Sequence, residues 1–177
     1  MSVRRMAMSS CGVVMMLAAA VWASTGHELE LPGLRGELPE TWQTQPPTSP
    51  LRAAQASLPG SGGAAEMAAF FFGPGGGGDT EANITRWIRQ IDSPTGQPVR
   101  DQFQVRGLTI KLVDVTGTLK ASPMGVGPKT PQPNSRLLGA VVEGPGGPWF
   151  FKITGPDATV KEQHDTFLAF LKSLQAS

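Results

Sequence analysis

The stretch FFFGPGGGGDTEANITRWIRQ, Phe70 to Gln90, decides how the rest of the chain is read. An apolar run ends in a glycine loop, and the loop opens onto a helical pattern. A phosphate cradle has the same layout: inward backbone N–H groups with a helix N-terminus behind them. Gly75 to Gly78 and the helix after Asp79 offer both. The nucleotide version also needs a Lys beside the last glycine and a Ser or Thr for magnesium. Here Asp79 follows Gly78. Its carboxylate repels phosphate and, as a helix cap, competes for the same N–H groups. Dinucleotide glycines could be laid on so glycine-rich a run by chance, and no parallel βαβ unit surrounds it. The stretch is therefore read as a strand-to-helix corner.

Working outward, Ile84, Trp87, Ile88 and Ile91 follow the i, i+3, i+4, i+7 spacing of one helical face, which predicts a helix over 80–91. Asp92 to Pro98, DSPTGQP, stops it. Upstream, Leu51–Pro59 and Ala64–Gly73 read as strands. Downstream, Gln102 to Leu119 holds a tight turn near Arg106-Gly107. Leu108, Ile110 and Leu112 then alternate with polar residues, so one face is buried. Val113 and Val115 break that phase, which predicts a bulge or a two-sided central strand. Ala121 to Ser135 has no periodicity and reads as a long loop. RLLGAVVEG and PWFFKITG flank Pro145-Gly146-Gly147 as a hairpin. Val160, Phe167, Leu168, Leu171 and Leu174 line a terminal helix, with Thr159 and Glu162 at capping-box spacing. The order of elements predicts an α+β fold: a mostly antiparallel sheet flanked by helices.

At 177 residues the chain suits one domain. Arg4 and Arg5 precede the uncharged, largely apolar run Cys11–Ala23, and Val21 and Ala23 fit small-x-small cleavage. Residues 1–23 are therefore expected to be an export signal, whose apolar run Cys11–Ala23 is too short to span a bilayer. Residues 24–37 read as a lead-in and 38–177 as the domain. Removing the signal changes the formal charge from +1 to −1. Such a balance offers no electrostatic footprint for nucleic acid, and no basic run grips anionic lipid. The expected partner is another envelope protein, with no membrane span left after cleavage. The single cysteine lies in the signal, so disulfide and thiol chemistry are not expected of the mature chain.

Candidate sites are sparse, and no cofactor, metal or catalytic set is expected. His164 falls on or beside the apolar face of the last helix, where packing is the simpler reading. His27 would be the fourth residue of the cleaved chain, one too far for an amine-terminal copper site. No GxSxG elbow occurs, and Gly60-Ser61-Gly62 reads as a turn. Asp101, Asp114 and Glu143 would make a hydrolase only by converging in space, which is the least favoured reading. Trp42, Trp87 and Trp149 are groove candidates, with packing preferred for Trp87. Asn83 opens a glycosylation sequon, but on a helix. The binding-surface candidates are Arg86 and Arg89 on the first helix, Lys129 with the 121–135 loop, and Gly76, Gly77 and Gly78 in the corner.

LPETW at Leu38–Trp42, the corner with its Arg86-Trp87 pair, and LLGAVVEGPGGPWFFKITGP together resemble the PsbP-like, or Mog-type, α/β/α sandwich. The resemblance extends over roughly residues 36–175 and is nearest to exported bacterial proteins of that fold. It implies a central antiparallel sheet between helical layers and a non-catalytic role through protein contacts. Photosynthetic members support the oxygen-evolving complex and nuclear ones bind a small GTPase; their partner-binding residues are not carried over to this sequence. The leading expectation is an exported accessory protein. The alternative is a small-ligand or metal-binding module using the corner at 73–79 or a groove between helix and sheet.

Overall fold

The computed structural model describes residues 27–122 and 127–177. The expected export signal lies outside them, as do residues 123–126 of the long loop. The elements are β1 (His27–Leu31), β2 (Leu34–Leu38), β3 (Gln43–Gln45), β4 (Ala54–Leu58), β5 (Ala65–Phe71), α1 (Thr80–Ile88), β6 (Ile91–Asp92), β7 (Val99–Val105), β8 (Leu108–Leu119), β9 (Gln132–Glu143), β10 (Trp149–Pro156), α2 (Asp157–Glu162), α3 (His164–Ser173) and β11 (Gln175–Ala176). The main sheet runs β3-β4-β5-β10-β9-β8-β6, with β7 also paired to β8, and every pairing is antiparallel. The chain is α+β and the sheet dominates it. No helix among the described residues is long and apolar enough to cross a membrane.

Two cores explain the broken phase of β8. Leu108, Ile110 and Leu112 enter one cluster with Phe151, Phe167 and Phe170. Val113, Val115 and Leu119 enter a second with Ile84, Trp87 and Phe150. Successive strand residues point to opposite faces, so a strand apolar on both faces loses its alternation. Pairing with β9 stays in register through Val113 and shifts only between Gly117 and Leu119. β8 is thus the two-sided central strand, not a strand bulged at Val113.

Several boundaries differ from the sequence reading. Residues 27–37, expected as part of a lead-in, form the β1–β2 hairpin together with Leu38, joined by β11 into a small sheet. Its Leu34 and Leu38 are buried in the first core; Pro32-Gly33 and Gly36 hid a five-residue alternation. Helix α1 stops at Ile88, with the Arg89 N–H closing on the Thr85 carbonyl at 3.1 Å. Pro94 disfavours helix at Ser93. Ile91 instead pairs with Leu119 and stays buried as a strand residue. The long loop ends earlier than expected, because Gln132–Ser135 extend β9 along β8.

The terminal helix is divided at Gln163, whose side chain accepts from the Trp42 indole at 2.8 Å and donates to the Pro59 carbonyl at 2.9 Å. The capping box does not form. Thr159 Oγ1 accepts from the Gly62 N–H and donates to the Gly63 carbonyl, while Glu162 accepts from Ser61. Both residues tie α2 to the turn after β4 rather than capping their own helix. The Ser61 hydrogen bonds hold the Glu162 carboxyl below the usual carboxylate range.

Candidate functional site

The floor of the site follows from alternation along β10. Trp149, Phe151 and Ile153 enter the first core, so Phe150, Lys152 and Thr154 occupy the opposite face. Helix α1 packs over β8 and β9 on that face. Its Trp87 lies on Gly139 of β9, where a Cβ would stand 2.6 Å from the ring. Strands β5 and β4 lie on the other side of β10. A cleft of about 550 Å³ opens between α1 and this part of the sheet, and Lys120, Ala121, Ser122, Gly127 and Pro128 also line it. Phe70, Trp87 and Phe150 supply apolar lining, and Leu51 and Phe72 are exposed lining residues at 52% and 46%. A second trough shares Arg52, Glu66, Leu119 and Thr154 with the first, so the two run together.

Five cations line the cleft, Arg52, Arg86, Arg89, Lys120 and Lys152, against one carboxylate, Glu66. Arg52 takes that carboxylate at 2.8 Å and also donates to Gln55 at 2.7 Å, yet its Nε is buried without a partner. Arg86 is held by the Asn83 side chain, an amide oxygen rather than a charge. No ion pair among the described residues engages Arg86, Arg89, Lys120 or Lys152. Lys152 Nζ donates to Gln90 Oε1 at 3.0 Å. Burial, then repulsion from Arg52 and Arg86, lowers the Lys152 pKa to about 8, with Glu66 opposing only in part.

That shift has a stability consequence. A lysine lowered from 10.5 to about 8 binds its proton more weakly in the folded chain than in the unfolded one. Its cost is fully present below pH 8 and disappears as pH rises through 10.5. Lys152→Met should therefore stabilise the fold by about 2–3 kcal/mol at pH 7 and by much less at pH 10.5. Urea unfolding of both proteins at the two pH values checks this. The chain has no tyrosine to titrate in that window. A variant that is no more stable at pH 7 would contradict it.

The expected surface residues divide. Arg86 and Arg89 line the cleft, whereas Lys129 is exposed outside its lining. Gly76, Gly77 and Gly78 are not among its lining residues. Gly77 adopts φ +81° against the Phe150 ring, with no room for a Cβ. The glycine corner satisfies itself: Asp79 accepts from the Ala82 N–H at 2.8 Å, and the Asn83 amide donates to the Gly77 and Asp79 carbonyls. Asn83 is itself buried. Asp101 lies on exposed β7 and Asp114 pairs with Arg136 at 2.7 Å. Glu143, opposite Thr109, accepts from Thr80. Among the described residues the three acids do not gather into one metal-binding cluster. His164 pairs with Asp165 at the surface, and Trp42 and Trp149 stack inside the first core.

Sequence reasoning missed Arg52, Lys120 and Lys152. Lys152 left one trace, a lone cation inside the apolar run PWFFKITG. A hairpin with one wet face explains such a residue equally well.

No family model and no curated protein matches the chain. Among solved structures, a protein of unknown function from Pseudomonas aeruginosa aligns with 84% of this chain and 94% of its own, at 15% identity and a TM-score of 0.47. At that distance the likeness assigns neither a family nor an activity.

Proposed function

We propose that this chain is an exported, non-catalytic binding protein whose cleft beside α1 takes a small anion with an apolar body, such as a medium-chain carboxylate. The single observation that carries the reading is the convergence of four cations without ion pairs on an apolar-lined cleft. Arg86, Arg89 and Lys120 are exposed at the cleft's rim, while Lys152, the half-buried one of the four, is the cation whose desolvation a ligand anion would compensate. In the same reading the fold is a PsbP-like sandwich, with α1 as one helical layer and α2 with α3 as the other. Export rests on residues 1–23, and the carboxylate on the cleft alone.

The test is calorimetry with octanoate, octanol and acetate. Octanoate should bind, octanol should lose the charge contribution, and acetate the apolar one. At 100 times its dissociation constant octanoate should add about 2.7 kcal/mol of stability. Arg86→Gln should weaken it by about 10- to 100-fold. Absence of heat and of thermal shift with every carboxylate would sink the proposal.

A second reading, contact with another envelope protein, has its own support in β7. This strand pairs only with β8, its residues are mostly exposed, and Val99 is 65% exposed. Its outer edge is free among the described strands to pair with an extended segment of a partner.

A further inference from the structure

We propose that Lys152 is a covalent trap for carbonyl compounds, condensing through Nζ with the keto carbon of an oxo acid whose carboxylate Arg86 holds. The inference deepens the cleft reading and rests on it. Lys152 lines the cleft from β10, the strand between β5 and β9. Its only hydrogen-bond partner among the described residues is the neutral amide of Gln90, so none of their carboxylates locks the amine as an ammonium. The charged groups around it come from three elements: Arg52 before β4, Glu66 on β5 and Arg86 on α1. Glu66 is already tied to Arg52 at 2.8 Å and to Gln55 at 3.1 Å. A desolvated lysine beside other cations is the arrangement that activates an amine as a nucleophile. The pKa of about 8 leaves far more neutral amine at pH 7.4 than an ordinary lysine has.

The step balances without an oxidant or reductant. The amine lone pair forms the C–N bond while the carbonyl oxygen takes up a proton, giving a carbinolamine. That hydroxyl then leaves as water with a second proton from nitrogen, and the C=N bond forms. Net, one amine and one carbonyl yield one imine and one water. Arg86 neutralises the acid's carboxylate beside the reacting carbon. Trp87, Phe150 and Phe70 shield the imine from the water that would hydrolyse it. The same cleft offers an apolar acid without a carbonyl only ordinary reversible binding.

The test uses 2-oxooctanoate with sodium cyanoborohydride at pH 7.4, read by intact mass and peptide mapping. One reduced adduct is expected, on Lys152, in at least about 10-fold excess over Lys111, Lys120, Lys129, Lys161 or Lys172. Excess octanoate should suppress it, and Lys152→Arg should abolish it. Adducts spread evenly over the lysines, or persisting at the same level in Lys152→Arg, would overturn the proposal; the mapping in the parent protein decides even if the variant fails to fold. Octanoate bound by calorimetry without a Lys152 adduct sinks the imine and leaves the anion cleft standing. Neither binding nor an adduct sinks both.

Discussion

Trp87→Ala should lower the unfolding free energy by about 3–5 kcal/mol and dismantle the cleft before the rest of the domain melts. The ring is 4% exposed, lies on Gly139, and meets Phe150 edge-on at 6.3 Å and 89°. No side chain on β9 can fill the space, because position 139 has none. Helix α1 has nine residues. A helix that short is marginal alone and depends on its packed face. Without Trp87 only Ile84 and the half-buried Ile88 bind it to the second core. Arg86 and Arg89 leave with it. Hydrogen exchange should show α1 amides opening in conditions where β8 to β10 stay protected, with octanoate binding lost in the same variant. Full retention of α1 protection would refute this account of how the cleft wall is held.

Phe151→Ala should cost as much, and the loss should be global. Phe151 is fully buried in β10, between β5 and β9. Its paired neighbours are Ala69 and Ala140, both fully buried. Small residues on both flanking strands make room for one large ring, so alanine there would put three short side chains in a row. Three hydrogen-bonded strands cannot collapse into that gap, which places the expected loss near the upper part of the 3–5 kcal/mol range. The ring also meets Phe170 of α3 at 5.2 Å and 78° and stacks on Trp149 at 6.0 Å. Sheet and helix should therefore weaken together in a single transition. Urea unfolding followed by far-ultraviolet circular dichroism and by tryptophan fluorescence should give coincident curves. Two separated transitions, or a loss below about 1 kcal/mol, would show that the core repacks.

Much of the fold was legible in local patterns. The strand at 65–71, the first helix, the turn at Arg106-Gly107 and the hairpin around Gly146 all carry signals confined to a few residues. Asp79 was readable as a cap for the same reason: a cap bonds within its own turn. The hidden parts depend on distant chain. The β1–β2 hairpin is polar at alternate positions and glycine-punctuated, and only burial of Leu34 and Leu38 against residues such as Phe170 reveals it. Strand β3, Gln43–Gln45, is exposed throughout and exists by pairing with β4. Thr159 and Glu162 have the spacing of a cap, but the turn at 60–63 takes their oxygens first.

By itself, the order of residues determined the α+β class, the antiparallel sheet and the Asp79 cap at the glycine corner, because alternation, helical spacing and capping act over a few neighbouring residues. Only the tertiary structure decided that Arg52, Arg86, Arg89, Lys120 and Lys152 share one cleft. Those residues come from separate parts of the chain, and each alone looks like an ordinary surface cation. Folding brings them together beside Trp87 and Phe150 and takes Arg52 and Lys152 out of water, while Arg86, Arg89 and Lys120 stay exposed.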